Sequence, residues 1–461
     1  MNLPNYFFAD LPPEATLSPA MLAEACQTLK RNRERYLAGR STEQLVKVLS
    51  DVAEAWRQPD NTFRKLALEA GPVETGFSRE TLQRGLDGFF RQLTRKNLQA
   101  LLIQELGDAD YVAGDAWRVT RETTFARHSS LATRHFWSGP ELLVHIAAGN
   151  IPNPTWMSIM LGLLARSAQF VKCASGSAVL PRLFAHSLYE ADAKLGACLE
   201  IAEWRGGNVA LEDVLFGEAD CVTATGSDEA LAAVRSRLPV KTRFLGYGHR
   251  VSFGFVTREV LTRFGASRIA ARVTDDVVAW NQLGCLSPHV IYVQPGGEVS
   301  PDKFAELLAD ELERREQTEP RGELPTPHAA TITSRRGIYE VRAAHSPETL
   351  MWHSQESTAW TVVFEADPRF QVSCLNRFIY VKPVKDLTEL LQHAEVVRGK
   401  VSTVGIAASE HQAEELAIQL ARWGVTRVCP PGQMQNPPLT WRHDGRPALG
   451  DLVAWTDFEM Q

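Results

Sequence analysis

The sequence is poor in cysteine motifs. Its seven cysteines are scattered over 461 residues, and no two of them form a C-x-x-C pair. Disulfide frameworks and structural zinc sites use closely spaced cysteines, and the number here is also odd, so both are disfavoured. We therefore expect no metal site, and a reducing, cytoplasmic location is the natural compartment.

Long apolar runs and excess basic charge are also scarce. The most apolar run, residues 156–165, is too short to span a bilayer and is followed by Arg166. Residues 1–10 lack the basic start and apolar centre of a secretory signal. The formal net charge of -6 argues against a general nucleic-acid-binding protein. We expect neither a membrane span nor a nucleic-acid partner.

The composition and patterning that are present indicate an α/β protein. Apolar residues make up 44% of the chain and charged residues 23%, the balance of a globular protein with a substantial core. Residues 18–106 carry apolar positions at helical spacing, and residues 111–137 favour extended strands. From residue 142 onward, strands alternate with helices. This alternation is typical of a parallel sheet with helices on both faces.

Cys285 differs from the other cysteines in its surroundings. Gly284 and Pro288 bracket it, and residues 290–293 (VIYV) have the pattern of a buried strand. The thiol is therefore predicted on a tight loop that leads into a strand, a setting in which rigid elements often hold nucleophiles. For a cysteine considered alone, a plain role in the core is the commoner alternative.

Two predicted strand ends carry groups that suit a dinucleotide. Lys172 ends one strand, where its ammonium could bond a ribose or a phosphate. Thr225-Gly226-Ser227 opens a helix, where backbone N–H groups favour a phosphate, although a helix cap explains Ser227 equally well. The G-x-G-x-x-G motif is absent, and residues 246–248 supply only G-x-G.

The chain carries four short segments in this order: 145–152 (HIAAGNIP), 225–227 (TGS), 284–293 (GCLSPHVIYV) and 441–445 (WRHDG). Together they resemble the aldehyde dehydrogenase superfamily and, more closely, the LuxC-type acyl-CoA reductase family. The resemblance runs from about residue 139 to the C-terminus. It implies an α/β fold with a Rossmann-type cofactor domain, an α/β catalytic domain and a small β oligomerisation arm.

The resemblance also implies roles for individual residues. Cys285 would be the acyl-accepting nucleophile, and Asn150 would donate its side-chain amide to the oxyanion. Glu356 would hold the nicotinamide ribose. The full set of expected dinucleotide contacts is Lys172, Ser175, Thr225, Gly226, Ser227 and Glu356.

Five segments follow from the pattern and the resemblance. They are a mainly helical N-terminal part of the cofactor domain (1–110), an extended β arm for oligomerisation (111–138), a Rossmann-like cofactor domain (139–245), a catalytic domain (246–430) and a C-terminal segment that returns to the cofactor domain or the arm (431–461).

Two departures from the wider superfamily bear on the reaction. Typical aldehyde dehydrogenases carry a general-base Glu in a Glu-Leu-Gly-Gly turn, whereas the matching segment here, 244–248 (FLGYG), has no acid. Because that base activates water to hydrolyse the acyl-enzyme, its absence favours reduction of a thioester. The residues after Lys172, 173–176 (CASG), contain no acid that would repel a 2′-phosphate, which favours NADPH over NADH.

The sequence therefore predicts an acyl-CoA reductase that forms an aldehyde from an acyl-CoA or acyl-carrier thioester through a Cys285 acyl-enzyme. Expected partners are the thioester, an acyl-transferring enzyme and further copies of the chain. Alternatives are an NAD(P)-dependent aldehyde dehydrogenase, a cysteine acyltransferase or thioesterase without cofactor, and a non-catalytic relative. The group that activates Cys285 stays open between His289 and His249, and His289 also has a structural alternative.

Overall fold

The chain divides into two compact units. The computed structural model describes residues 3–12, 14–107 and 134–459. Unit 1 contains residues 1–70, 89–248 and 438–461, and unit 2 contains residues 71–88 and 249–437. Residues 71–88, which were expected in the N-terminal part of the cofactor domain, thus group with unit 2.

The N-terminal part of the chain is helical, as its apolar spacing predicts. Hydroxyl side chains begin several of these helices: Ser18, Ser41 and Thr94 each accept a hydrogen bond from a backbone N–H in the first turn. The predicted β arm, residues 111–138, lies outside the described residues except for 134–138. The helices are α1 (Pro19–Tyr36), α2 (Thr42–Arg57), α3 (Thr62–Thr75), α4 (Arg79–Gln92) and α5 (Arg95–Leu106).

Unit 1 contains a five-stranded sheet in which every neighbouring pair of strands is parallel. Its strands are β2 (Leu142–Ile146), β3 (Ala168–Cys173), β4 (Leu199–Glu203), β5 (Cys221–Thr225) and β6 (Arg243–Tyr247), in the order β4-β3-β2-β5-β6. The connecting helices are α6 (Asn153–Leu164), α7 (Val179–Ala191), α8 (Ala193–Gly196), α9 (Val209–Glu218) and α10 (Asp228–Arg237). A separate antiparallel pair joins β1 (Arg134–Ser138) to β14 (Ala454–Phe458).

Unit 2 contains a seven-stranded sheet, parallel except where β9 runs against β10. Its strand order is β13-β12-β7-β8-β11-β10-β9. The strands are β7 (Val251–Val256), β8 (Pro288–Val293), β9 (Thr349–His353), β10 (Thr361–Glu365), β11 (Phe378–Pro383), β12 (Val401–Ala407) and β13 (Arg427–Cys429). The helices are α11 (Arg263–Val278), α12 (Pro301–Thr318), α13 (Thr326–His345), α14 (Leu387–His393) and α15 (Glu410–Trp423).

The predicted α/β class is confirmed. The complete burial of β8 explains why residues 290–293 are so apolar. Every residue of β8 is buried, and its side chains enter two apolar clusters. Ile291 and Val293 belong to one cluster, Val290 and Tyr292 to the other. Parallel strands covered on both faces read as continuous apolar runs. Within the described residues, no helix combines the length and apolar character that a membrane crossing requires.

Candidate active site

Most of the predicted site residues of unit 1 lie at one edge of its sheet. Asn150 follows β2, Lys172 is near the end of β3, and Thr225 ends β5. Since β3 and β5 both pair with β2, the carboxyl ends of these parallel strands meet at the same edge. Ligands of open α/β sheets bind at this edge, so unit 1 gathers its candidate cofactor residues where such a site is expected.

Lys172 presents a partly desolvated ammonium at this edge. The residue is 5% exposed, and its Nζ lies 5.8 Å from the centroid of the Trp204 ring. Burial lowers the pKa of Lys172, and the carboxylates of Glu212 and Glu203 oppose that shift. A Cβ on Gly206 would come within 3.9 Å of the Nζ, so the glycine leaves space beside the charge. A cation in such a setting fits a ribose hydroxyl or phosphate oxygen.

An acid that sequence reasoning missed lies beside the same loop. Ser175 is exposed in the turn after β3, next to Gly176, which has φ +75°. The Gly176 N–H donates to Glu203 Oε1 at 2.7 Å. Glu203 ends β4, a strand that was not predicted. Residues 199–203 (LEIAE) alternate apolar and acidic residues only as far as Ile201, which is too short a pattern to identify a strand.

The Thr225-Gly226-Ser227 turn joins β5 to α10. The Gly226 N–H donates to the Tyr247 carbonyl at 3.2 Å, and Ser227 Oγ accepts from the Ala230 N–H at 3.2 Å. Ser227 is therefore the N-cap of α10, the ordinary alternative considered for it. The same turn leaves the positive end of the helix dipole at the sheet edge, which suits a pyrophosphate.

Asn150 lies on the exposed turn after β2. Its neighbour Gly149 passes close to the loop after β3, where an added Cβ would lie 3.1 Å from Ala174 Cβ. The glycine thus lets the two loops approach each other. The turn that bears Asn150 is thereby packed against the loop that bears Ser175.

Cys285 belongs to unit 2 and lies on a turn at the amino end of β8. The Ser287 N–H donates to the Gly284 carbonyl at 2.9 Å and closes the turn. Cys285 is partly exposed, whereas Gly284, Leu286 and Ser287 are buried. The prediction of a thiol on a tight loop feeding a buried strand is therefore confirmed by the local structure.

The turn is held by side chains from elsewhere in unit 2. Gln282 Nε2 donates to the Pro288 carbonyl at 2.7 Å and to the Phe378 carbonyl at 3.0 Å. Ser252 Oγ donates to the Cys285 carbonyl at 2.8 Å. Gln435 hydrogen-bonds to Ser287 Oγ. These contacts fix both ends of the turn, and sequence reasoning identified none of the three.

The backbone just before the turn is strained. Trp280, Asn281 and Gln282 have φ of 51°, 50° and 65°, a left-handed conformation that non-glycine residues rarely adopt. The Asn281 carbonyl accepts from the Asn376 N–H at 3.0 Å, and Asn281 Oδ1 accepts from Arg377 Nε at 3.1 Å. Such strain persists only where surrounding contacts over-determine it, and it is typical of functional sites.

His289 is buried as a neutral imidazole. Its Nδ1 accepts a hydrogen bond from the Ser373 N–H at 3.1 Å, which requires an unprotonated Nδ1. Burial, with a smaller effect of His249, lowers the pKa of His289 to about 4. The Ser373 backbone N–H thus occupies the Nδ1 lone pair. These contacts fit the structural alternative given for His289.

Glu356 belongs to unit 2, whereas the other cofactor candidates belong to unit 1. It is exposed on the loop between β9 and β10 and has φ +56°. Arg336 anchors this loop by donating to the carbonyls of Ser357 at 2.6 Å and Trp360 at 2.7 Å. The exposed carboxylate therefore rests on a loop with a rigid base.

The segment that corresponds to the missing general base forms β6. No carboxylate occurs at residues 243–248. The Tyr247 ring stacks on His443, with centroids 4.4 Å apart, and the Arg446 guanidinium carbon lies 4.6 Å from the centroid of the Tyr247 ring. His443 is thus part of an aromatic stack. Across the described residues, no group of three or more His, Cys, Asp or Glu side chains is placed to hold a metal.

Comparison with known proteins identifies the family to which the chain belongs. The family profile described as "LuxC: Acyl-CoA reductase" matches residues 37–455. A "Long-chain acyl-protein thioester reductase" of Aliivibrio fischeri is 23% identical over 90% of this chain and 82% of that protein. A "Long-chain acyl-protein thioester reductase 2" of Photobacterium leiognathi is 25% identical over 68% of this chain and 63% of that protein, less than two thirds of its length.

Solved structures show the fold. A 1-pyrroline-5-carboxylate dehydrogenase of Thermus thermophilus superposes with a TM-score of 0.69 at 15% identity, over 97% of this chain and 86% of that one. An NAD-dependent benzaldehyde dehydrogenase of Corynebacterium glutamicum gives a TM-score of 0.68 at 13% identity, over 97% and 91%. The architecture is that of the aldehyde dehydrogenases. Since the family profile also covers nearly the whole sequence, the resemblance is confirmed, and the chain belongs to the LuxC acyl-CoA reductase family.

Proposed function

We propose that this protein reduces the acyl group of an acyl-CoA or acyl-carrier thioester to an aldehyde, with Cys285 as the covalent acyl carrier. The observation that carries the proposal is the Cys285 turn. A partly exposed thiol stands among buried neighbours on a turn fixed by Gln282 and Ser252. Family membership and the relatives named as acyl-protein thioester reductases support the same reaction class.

The chemistry begins with the Cys285 thiolate attacking the thioester carbonyl carbon. A new C–S bond forms, the bond to the CoA or carrier sulfur breaks, and the departing thiolate takes a proton from solvent. Covalent catalysis divides one difficult reduction into two easier steps. When bound, NADPH would supply the hydride that converts the acyl-enzyme to the anion of a thiohemiacetal. Breaking the C–S bond of that species releases the aldehyde and restores the Cys285 thiolate.

Asn150 and the Cys285 backbone N–H are proposed as the donors to the oxyanion. Negative charge develops on the carbonyl oxygen in both steps, and an amide donor stabilises it without a proton transfer. Loss of one such donor typically lowers the rate about 100- to 1000-fold.

The cofactor is proposed to bind at the carboxyl edge of the unit 1 sheet. Lys172 would bond the adenosine ribose or its phosphate, Ser175 would lie beside it, and the Thr225–Ser227 turn would receive the pyrophosphate. Glu356 would hold the nicotinamide ribose. The absence of an acid at residues 173–176 supports NADPH, although Glu203 brings a carboxylate to the Gly176 N–H from the next strand.

The missing general base supports reduction over hydrolysis. A carboxylate at the position matched by residues 244–248 would activate water against the acyl-enzyme, and this segment has none. The substrate class is proposed as a long-chain acyl thioester, following the names of the relatives. A homo-oligomer and an acyl-transferring partner enzyme are proposed with it.

The direct assay follows loss of NADPH absorbance with acyl-CoA and acyl-carrier thioesters of several chain lengths. We expect oxidation of NADPH that depends on the thioester, with aldehyde formed in equal amount. NADH is run in parallel, and aldehyde with NADP is tested as the reverse reaction. Thioester hydrolysis without any oxidation of NADPH or NADH would favour the thioesterase alternative and contradict the proposal.

A further inference from the structure

Ser252 lies where the pairing register of the unit 2 sheet shifts on both sides of β7. On one side of β7, Ser252 pairs with Pro288 and Phe253 with Val290, so the β8 residue between them is skipped. On the other side, Val251 pairs with Val401 and Ser252 with Thr403, so β12 also skips a residue. Both neighbouring strands therefore change register at the same residue of β7. Bulges of this kind redirect side chains next to active sites.

The Ser252 hydroxyl makes use of this irregularity. It accepts a hydrogen bond from the Thr403 N–H at 3.1 Å and donates its single proton to the Cys285 carbonyl at 2.8 Å. The residue is fully buried, with 0% exposure. Since the Thr403 N–H approaches the hydroxyl as a donor, the hydroxyl proton is directed to the Cys285 carbonyl. The bond links residues 33 positions apart in the sequence.

We propose that Ser252 is the positioning residue of the nucleophile: its hydroxyl ties the Cys285 carbonyl to the internal strand β7 and so sets the direction of the thiol. This inference rests on the proposed function of Cys285. The turn bond from the Ser287 N–H to the Gly284 carbonyl fixes the turn itself, and Gln282 fixes its flanks. Ser252 contacts the peptide of Cys285 itself.

The chain offers a matched control one strand away. Ser402 is also fully buried, and it is the β12 residue skipped at the bulge. Its hydroxyl has no hydrogen-bond partner among the described residues. Ser402→Ala therefore removes a buried hydroxyl from the same irregularity without touching the Cys285 turn. Any effect specific to positioning should appear in Ser252→Ala and not in Ser402→Ala.

The test measures alkylation of Cys285 by iodoacetamide, read by mass spectrometry of the peptide that contains it, against pH. Single-turnover acyl transfer from acyl-CoA is measured with the same enzymes. For Ser252→Ala we expect both rates to fall about 10- to 100-fold, with the KM for thioester little changed, because small misplacements of reacting groups cost about that much. Ser402→Ala should stay within about twofold of the wild type.

Folding is controlled by taking all rates well below each variant's Tm, and by Ser252→Cys, whose S–H is a weaker donor. Its rates should lie between those of the wild type and Ser252→Ala. Wild-type alkylation, pH profile and acyl transfer in Ser252→Ala would overturn the positioning role, as would an equal loss in Ser402→Ala. Failure of the wild-type enzyme to acylate Cys285 at all would instead contradict the proposed function.

Discussion

At the scale of single residues, the site separates into groups that local sequence reveals and groups that it does not. Cys285 was identifiable because Gly284, Pro288 and the apolar run after them lie next to it in the chain. Glu203 reaches the loop after β3 through the order of the strands, and Ser252 reaches the Cys285 turn through a register shift. The order of the strands and the register shift depend on how distant segments pair in the folded protein, so no local sequence pattern predicts them.

His289 should make stability depend on pH. Burial holds its pKa near 4, below the ordinary 6.5, so the unfolded chain takes up a proton that the folded chain does not as the pH falls through this interval. The contribution of His289 to the free energy of unfolding is fully present above pH 6.5. It declines below that pH, by about 2 kcal/mol between pH 7 and pH 5. In His289→Asn, whose side-chain oxygen can still accept from the Ser373 N–H, that share of the decline should vanish.

Urea unfolding of wild type and His289→Asn at pH 7 and pH 5 checks this expectation. His145, whose pKa burial also lowers to about 4, contributes equally to both proteins and cancels in the comparison. Identical pH dependence in the two proteins would show that His289 is not held neutral by the fold.

Glu203 should limit the preference for NADPH. Glu203→Gln keeps an oxygen for the Gly176 N–H but removes a negative charge from the place proposed for the adenosine ribose. We expect NADPH affinity to rise relative to NADH by about fivefold, roughly 1 kcal/mol. Titration by nicotinamide fluorescence measures both affinities. The control is Glu218→Gln, at the carboxyl end of α9, where Glu218 pairs with Lys30. If NADPH affinity relative to NADH changed equally in this variant, the effect would be one of net charge and not of the position of Glu203.

At the scale of elements, the predictions held where the composition of a segment reflects its burial, and failed where few residues of an element are buried. The run 290–293 is a strand by composition alone. Helix α13 was missed because only Ile332, Arg336 and Tyr339 of its twenty residues are buried, and one of these is an arginine. The apolar periodicity is correspondingly thin. Arg336 instead bonds to the loop before β10, a tertiary contact that a sequence window does not contain.

Substitutions of Ser227 test whether this residue only caps α10 or also lies where the cofactor binds. Ser227→Ala removes the cap and should cost about 1 kcal/mol in stability. Ser227→Asp keeps a good cap but places a negative charge where the pyrophosphate is proposed. We expect Ser227→Asp to retain wild-type Tm and to bind NADPH at least tenfold more weakly. Thermal melts and fluorescence titration check the pair, and unchanged NADPH affinity in Ser227→Asp would remove the pyrophosphate from this turn.

At the scale of the whole molecule, the alternation of strands and helices indicated two α/β units, but their boundaries could not be read as consecutive segments. Residues 71–88 group with unit 2. Residues 438–461, part of the C-terminal segment for which the family resemblance implied a return to the cofactor domain or the arm, group with unit 1. The first assignment has a visible cause: Phe77 packs edge-on against Trp280, with ring centroids 5.3 Å apart, and Arg84 pairs with Asp275 at 2.5 Å. Local periodicity carries no signal for such returns of the chain.

Gly85 should be essential to that packing. A Cβ at Gly85 would overlap the Trp280 indole, which is 3% exposed and leads into the strained turn before Cys285. Gly85→Ala should therefore destabilise the protein by about 1–3 kcal/mol. Gly337→Ala, in α13 with nothing within 4 Å of the added Cβ, should be stabilising by about 0.5–1 kcal/mol. Urea unfolding compares them, and equal effects in the two variants would contradict the packing argument.

The central claim is that Cys285 carries the acyl group. The most direct measurement incubates the protein with a long-chain acyl-CoA in the absence of NADPH, then maps the added acyl mass by peptide mass spectrometry. We expect one acyl group on the peptide that contains Cys285, discharged when NADPH is added and absent from Cys285→Ala. An acyl group on another residue, or aldehyde formation by Cys285→Ala, would contradict it.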